Sequence, residues 1–210
     1  MKDNRNYVWD NEEISIRPEY PYIERWITNN AKVIDLGCGN GSLLYILKEK
    51  KNISEFGIEI SESGVKICKK KGLNVRKGRI DVEFDDVSND FFDYAICNVT
   101  LQMVMYPEIT LKEMRRVAKY QIISFPNFAF FTNRLELLIK GRMPRRLLYG
   151  YNWYNTGHIH QLSINDFRET ITTLRLNIKD CIYIGRFRKL KCIFPNLFAS
   201  EAIFLLEKNE

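Results

Sequence analysis

Strand-like runs alternate with helix-like segments between residues 31 and 126, and this alternation limits the fold more than any other feature. Five short apolar runs bounded by turn residues predict buried strands: AKVIDLG, SEFGIEIS, LNVRKG, FDYAICNV and YQIISFP. Amphipathic patterns separate them, as in GSLLYILKEKK, which has leucines on one face. Because the strands are apolar on both faces, we predict an α/β fold whose parallel sheet is covered by helices on both sides.

The chain after residue 127 follows a different pattern. Residues 128–161 are rich in aromatic residues and arginine, and they are too many for a simple connection. We therefore predict an inserted segment after the fifth strand, forming a wall or lid of a pocket. Ser163 and Asp166 match a capping box that opens another helix. Two further strands, NIKDCIYIG and EAIFLLEK, are expected to pair antiparallel at one edge of the sheet.

Length and composition indicate an ordinary globular protein. With 210 residues, the chain fits one core, so we expect a single domain over residues 1–210. No apolar run is long enough to cross a bilayer, and the polar start MKDNRNYVWDNEE does not match a signal peptide. The five cysteines include no C-x-x-C pair, which indicates reduced thiols. We therefore expect a cytoplasmic protein without membrane contacts.

The net charge of +6 comes largely from basic clusters at residues 69–79, 140–146 and 186–191. One interpretation is a surface for an acidic partner such as nucleic acid. The other is a set of solvated faces. The clusters are scattered and lack the interleaved aromatic residues of single-strand binders, so we favour solvated faces and do not expect nucleic-acid binding.

The segment VIDLGCGNGS places Gly37, Gly39 and Gly41 between the first strand and the next helix. Glycine is costly in ordered structure, so three in five positions need a reason. A helix N-terminus presents unpaired N–H groups, and glycines in the preceding turn let a ligand approach them. Ser42 stands where the dinucleotide fingerprint has its third glycine or alanine, which argues against NAD.

Two acidic residues belong to the ends of the first two strands. Asp35 lies just before the first glycine, so its carboxylate faces the crevice, and Glu59 ends the second strand. A carboxylate can accept hydrogen bonds from both hydroxyls of a ribose. We therefore expect Glu59 to hold the ribose of an adenosine, and Asp35, with the glycines, to face the amino-acid end of a cationic ligand.

This order of strand, glycine loop, helix and acid resembles the class I S-adenosylmethionine-dependent methyltransferases, over about the first 125 residues. The resemblance implies a Rossmann-like, seven-stranded, mostly parallel sheet in the order 3-2-1-4-5-7-6. It implies S-adenosylmethionine or S-adenosylhomocysteine as the ligand. The expected cofactor-binding residues are Asp35, Gly37, Cys38, Gly39, Gly41, Glu59, Ile60, Asp81, Asn98 and Leu101.

Other stretches resemble the MetW family of methionine-biosynthesis proteins. The shared words are TLQ after the fourth strand, SFPNF after the fifth, GRMP and W-Y-x-T-x-x-I-H, and the likeness covers most of residues 30–175. It implies a role in methionine synthesis beside a homoserine O-acyltransferase, with no well-defined methyl acceptor. The basic, aromatic stretch 142–154 suits such a partner.

One position departs from that family. Arg79 stands where the family usually has an acid after the glycine of the third strand. Asp81, two residues further on, is the candidate that takes the adenine contact instead.

No catalytic residue is assigned. CNVTLQM replaces the N-P-P-Y or D-P-P-Y of enzymes that methylate exocyclic amines of nucleic-acid bases. The candidates for handling an acceptor lie after the fifth strand: Asn127, Trp153, Tyr154, His158 and His160. The histidines are either a general base or hydrogen-bonding groups that pin the insertion, and we favour the second interpretation. H-x-H has no third ligand in view, so we expect no metal site.

Three functions therefore stay open. The first is a MetW-like protein that assists the acyltransferase, the second a small-molecule methyltransferase, and the third a non-catalytic module that senses S-adenosylmethionine.

Overall fold

The computed structural model describes residues 8–145, 152–154, 156–187 and 189–209. The strands are β1 (Lys32–Leu36), β2 (Ser54–Glu59), β3 (Val75–Lys77), β4 (Phe92–Asn98), β5 (Ala118–Pro126), β6 (Leu176–Ile184) and β7 (Glu201–Lys208). The helices are α1 (Tyr20–Trp26), α2 (Ser42–Lys51), α3 (Glu62–Lys70), α4 (Pro107–Val117), α5 (Phe131–Lys140), α6 (Ile164–Thr173), α7 (Leu190–Ile193) and α8 (Pro195–Phe198). A short 3-10 helix, Leu101–Met103, follows β4. Within these described ranges, no helix is both long and apolar enough for a bilayer crossing.

The strands form one seven-stranded sheet in the order β3-β2-β1-β4-β5-β7-β6. Neighbours from β3 to β5 pair in parallel, and β7 pairs antiparallel with both β5 and β6. The predicted fold class, strand order and antiparallel edge are thereby confirmed. Because the chain runs outward from β1 on one side and returns to β4 on the other, a crevice opens at the carboxyl ends of these two strands.

Both faces of the sheet are buried, which is why its strands have continuous apolar runs. Successive residues of β1 alternate between two core layers: Ile34 and Leu36 belong to one and Val33 to the other. Helix α2 covers one face with Leu43, Leu44 and Leu47, as its pattern predicts. The other face is covered by helices that include α4 and α6.

The helix ends match their sequence signals. Ser61 accepts a hydrogen bond from the Gly64 N–H at the start of α3, and Pro107 opens α4. Ser163 and Asp166 form the predicted capping box at α6. Each side-chain cap, at Ser61 and at Ser163, stabilises its helix by about 1 kcal/mol. The cap at Ser61 also fixes the chain immediately after Glu59, close to the crevice.

The stretch 128–161 contains α5, and its last residues contact the turn after β4. The backbone N–H groups of Ile159 and His160 both donate to the Gln102 carbonyl, at 3.0 and 3.1 Å, so the end of this stretch is attached to the 3-10 helix after β4. Residues 146–151 and 155, which belong to the predicted insertion and partner stretch, lie outside the described residues.

Candidate functional site

A cavity of about 710 Å³ lies at the carboxyl ends of the central strands. Its walls come from the turns after β1, β2 and β4, from the segment before α1, and from Tyr154 and Thr156–His158. A volume of this size lies within the range of small-molecule and cofactor sites. The cavity is therefore where the topology predicts a ligand.

The glycine loop, residues 37–41, forms the floor beside β1. Its first two amides, those of Gly37 and Cys38, donate to the Ile58 carbonyl of β2 at 2.8 and 3.2 Å. Gly37 and Gly39 have φ of +81° and +60°, and a Cβ on either would lie 2.5 Å from Thr100 or 2.7 Å from the Trp9 ring. Backbone conformation and space therefore both require glycine at these two positions.

Glu59 connects the glycine loop to the start of α3. Its Oε2 accepts the Gly39 N–H and its Oε1 accepts the Ser61 N–H, both at 2.8 Å. Burial raises the pKa of Glu59, while these backbone N–H groups act in the opposite direction. Each oxygen has a further lone pair, so the carboxylate still has acceptor capacity toward the cavity.

Asp35 is an acidic residue of the site whose burial disfavours its charged form. It is 2% exposed, and its Oδ1 has no hydrogen-bond partner in the described part of the chain. Burial, together with the nearby Glu59 carboxylate, raises the pKa of Asp35 from its ordinary 3.8 to about 7. Arg17 acts in the opposite direction, and its guanidinium lines the cavity.

Arg17 differs from the second arginine that lines the cavity. The Arg17 guanidinium makes no hydrogen bond within the described ranges, so it can receive an anionic group. Arg79, in contrast, is held by Asp81 through two hydrogen bonds, Nε to Oδ1 at 2.9 Å and Nη2 to Oδ2 at 2.6 Å. A bidentate pair of this kind is geometrically specific and strong.

Asp81 also orders the turn before α4. Its Oδ2 accepts the backbone N–H groups of Met105 and Tyr106, at 3.0 and 3.3 Å. Although Asp81 lines the cavity, as expected of an adenine contact, most of its acceptor capacity is used within the protein. Arg79 and Asp81 together therefore fix this wall.

A strained residue follows β4 at the edge of the cavity. Val99 has φ of +52°, which is a genuine outlier for a β-branched side chain. Its N–H donates to the Ser124 carbonyl and hydroxyl, and that hydroxyl donates to Asn98 Oδ1 at 2.6 Å. The bonds to β5 hold a conformation that costs on the order of 1–3 kcal/mol.

His158 lines the cavity as part of the stretch that follows α5. Burial lowers the pKa of His158 from its ordinary value, which favours the neutral form of the imidazole. Tyr154 reaches the same cavity, although most of its surface is exposed. Trp153 is 73% exposed, so the structure does not bring this predicted acceptor candidate into the cavity.

The structure brings most of the predicted cofactor residues together. The cavity is lined by Asp35, Gly37, Cys38, Gly39, Glu59, Ile60, Asp81 and Asn98, and by the acceptor candidates Tyr154 and His158.

Besides Trp153, four predicted residues lie outside the lining of the cavity. Gly41 faces Leu73 and Cys68, and Leu101 is buried in the core. The Asn127 side chain donates to the Asn196 and Ala199 carbonyls at 3.1 and 2.8 Å, so it joins the end of β5 to α8. His160 belongs to a small separate depression with Gln102 and Phe128.

The segment before α1 also lines the cavity, although no sequence pattern predicts this. Trp9 lies on the glycine loop, and its backbone N–H donates to Ser63 Oγ at 2.8 Å. The Asn40 side chain donates to the Asn11 and Glu13 carbonyls. The segment has no periodic pattern, so the sequence held no signal for its position. The described residues contain no cluster of three His, Cys, Asp or Glu that would suit a metal ion.

Comparison with solved structures identifies the class of the fold. An S-adenosylmethionine dependent methyltransferase from Mesorhizobium loti matches with a TM-score of 0.68 and 15% identity, over 90% of this chain and 97% of that one. A SAM dependent methyltransferase from Archaeoglobus fulgidus matches with a TM-score of 0.67 and 16% identity, over 90% and 91%. The fold is that of the class I S-adenosylmethionine-dependent methyltransferases.

Sequence comparison identifies the family. The family model described as "Methionine biosynthesis protein MetW" matches residues 17–206, and the chain belongs to this family. The bifunctional methionine biosynthesis protein MetXA/MetW of Rhodopirellula baltica is 28% identical in a 192-position alignment that covers 87% of this chain and 31% of that protein. The chain thus spans about a third of that relative. A carboxy-S-adenosyl-L-methionine synthase from Nautilia profundicola is 28% identical in a 213-position alignment that covers 96% of this chain and 88% of the synthase.

Proposed function

We propose that this chain binds S-adenosylmethionine or S-adenosylhomocysteine and assists a homoserine O-acyltransferase in methionine biosynthesis. The observation that carries the ligand assignment is the buried, unpartnered Asp35 carboxylate with Arg17 in the same cavity. A free carboxylate and a free guanidinium complement the ammonium and carboxylate groups of an amino acid. Few other small ligands combine such a group with an adenosine.

The other residues fit the remaining parts of that ligand. Glu59 has acceptor capacity for ribose hydroxyls at the end of β2, and the Gly39 backbone it holds lies beside it. The wall near Arg79 and Asp81 suits the base. When bound, S-adenosylmethionine supplies a methyl group activated on a sulfonium. The chain's own contribution is to orient the ligand and, with the segment before α1, to shield it from water.

The acyltransferase role is supported by the family and by the fused relative. MetXA and MetW form one chain in the R. baltica protein. Fusion keeps two modules at high effective concentration, which benefits modules that act together. We take MetXA as the acyltransferase module and infer that this chain contacts the corresponding enzyme as a separate protein.

The test measures acyl-homoserine formation by the acyltransferase of the same organism, with and without this chain and with and without S-adenosylmethionine. We expect the rate to rise on addition of the chain and to change again with the ligand. Unchanged rates at micromolar concentrations of both proteins would overturn the role. The acyltransferase alone with S-adenosylmethionine is the control.

A methyltransferase acting on a small molecule is the second candidate, and His158 favours it. A neutral imidazole in the cavity wall can take up the proton that a methyl acceptor, such as an amine or a hydroxyl group, releases. Methyl transfer to a small compound in a cell extract, lost in His158→Ala, would support this candidate. A change in the acyltransferase rate without methyl transfer supports the assisting role. Binding of S-adenosylmethionine with neither effect would support a module that only senses this ligand.

A further inference from the structure

Helix α5 carries an apolar surface that the protein leaves exposed. Phe131, Leu135 and Leu138 fall on one face because they are spaced four and three residues apart. Leu138 is 82% exposed and the adjacent Ile139 is 75% exposed. Neighbouring large apolar side chains this exposed mark interaction sites, whereas single exposed ones are ordinary.

A second exposed apolar group lies in the connection between β6 and β7, which contacts the first turn of α5. Ile193 and Phe194, at the end of α7, are 65% and 57% exposed. The first turn of α5 packs against this connection, since the Phe131 ring lies 5.7 Å from that of Phe187 and 5.9 Å from that of Phe198. The Arg134 guanidinium also donates to the Asn196 carbonyl at 3.3 Å.

We name these two groups together the α5–α7 patch, which consists of Leu135, Leu138, Ile139, Met143, Leu190, Ile193 and Phe194.

The rim of the patch is basic. Exposed lysines and arginines surround it: Lys140, Arg142, Arg145, Arg186 and Lys189. Glu136 is the sole acidic residue in the sequence of 131–145, and 185–194 has none. Glu136 is shared between Lys140 and Arg142, at 3.5 and 3.6 Å, so it leaves the excess positive charge in place. The complementary surface is therefore apolar at its centre and acidic at its rim.

We propose that the α5–α7 patch is the docking surface for the homoserine O-acyltransferase, which presents an apolar area rimmed by carboxylates. This inference rests on the proposed function. A second copy of the chain is a poorer occupant, because a twofold contact sets the same basic rim against itself. The relative in which MetXA and MetW share a chain favours an enzyme over a lipid surface as the partner.

The experiment measures the affinity of the purified chain for the acyltransferase by biolayer interferometry. The double variant Leu138→Glu with Ile139→Glu adds charges at the centre of the patch and should weaken binding at least about tenfold. Phe91→Glu is the matched control, since Phe91 is 49% exposed just before β4, at the amino end of the sheet. It should bind like the wild type.

A charge variant tests the rim separately. Arg186→Glu with Lys189→Glu should slow association and reduce its dependence on salt, because rim charges act mainly on the association rate. Both double variants should bind S-adenosylhomocysteine with wild-type affinity in calorimetry, which would show that they are folded with an intact cavity.

The outcomes separate the surface from the function. If the wild type stimulates the enzyme and the Leu138/Ile139 variant binds equally well, the patch is wrong and the assisting role stands. If the wild type does not bind the enzyme, the docking surface and the assisting role are both wrong. Two other outcomes would overturn the proposal, each with unchanged affinity for the enzyme. If the Leu138/Ile139 variant no longer binds anionic vesicles, the patch contacts a membrane. If that variant no longer forms a dimer in analytical ultracentrifugation, the patch binds a second copy of the chain.

Discussion

At the scale of single residues, Asp35 dominates the energetics of the cavity. Its carboxyl group is buried and Oδ1 is unpartnered, so ionising it without a ligand costs free energy. An ammonium or sulfonium beside it would recover that cost. Ionisable groups whose pKa is shifted by burial cluster at functional sites, and Asp35 lies just before the glycine loop.

Replacing this carboxyl should change the pH dependence of stability. The pKa of Asp35 is raised to about 7 in the folded state, so its stabilising effect is complete below pH 4 and is lost as the pH rises through 7. Asp35→Asn cannot ionise. Relative to the variant, the wild type should lose on the order of 4 kcal/mol of unfolding free energy between pH 4 and pH 8. Urea denaturation of both proteins at pH 4 and pH 8 measures this difference. If the unfolding free energies of the wild type and the variant change equally with pH, the pKa of Asp35 is not raised.

Arg17 should recognise the carboxylate end of the ligand. Losing a charged hydrogen bond costs about 1.5–3 kcal/mol, so Arg17→Met should bind S-adenosylhomocysteine at least about tenfold more weakly. Methylthioadenosine has no amino-acid carboxylate, and its affinity should be unchanged. Equal losses for both ligands would show that Arg17 supports the fold of the cavity and does not contact the carboxylate.

At the scale of elements, the segment before α1 behaves as a strap although it has no regular structure. Trp9 packs on Gly39 and Gly64, and Ser15 donates its backbone N–H to Ser42 Oγ at 3.1 Å. These contacts hold the solvent-facing side of the glycine loop, while the hydrogen bonds of Gly37 and Cys38 to β2 hold the side that faces the sheet. Geometry at the start of α2 therefore depends on both.

Removing the anchor of this strap should loosen the loop. Trp9→Ala deletes the ring that covers Gly39, so amides of residues 37–42 should exchange hydrogen faster, and affinity for S-adenosylhomocysteine should fall. Ile16→Ala is the control, since Ile16 is 77% exposed in the same segment. Identical exchange in the wild type and Trp9→Ala would mean that the strap does not stabilise the loop.

At the scale of the whole molecule, the sequence predicted what depends on local pattern. The apolar runs and the turn before α2 determined the sheet, and position at a strand end placed Asp35 and Glu59 at the crevice. Arg17 and Trp9 escaped prediction because their role arises from the path of an aperiodic segment. Leu101 belongs to the core and not to the lining of the cavity, since sequence position cannot tell which side of a turn faces the core.

The ligand claim is tested most directly by calorimetric titration of the purified chain with S-adenosylhomocysteine. We predict saturable binding that weakens at least about tenfold in Glu59→Ala, because that variant loses the acceptor that we propose for the ribose hydroxyls and the hydrogen bond that holds the Gly39 amide. Glu62→Ala is the matched control, as the Glu62 side chain is 64% exposed three residues away. Absence of heat with the wild type at millimolar ligand, or equal affinity in Glu59→Ala, would contradict the account.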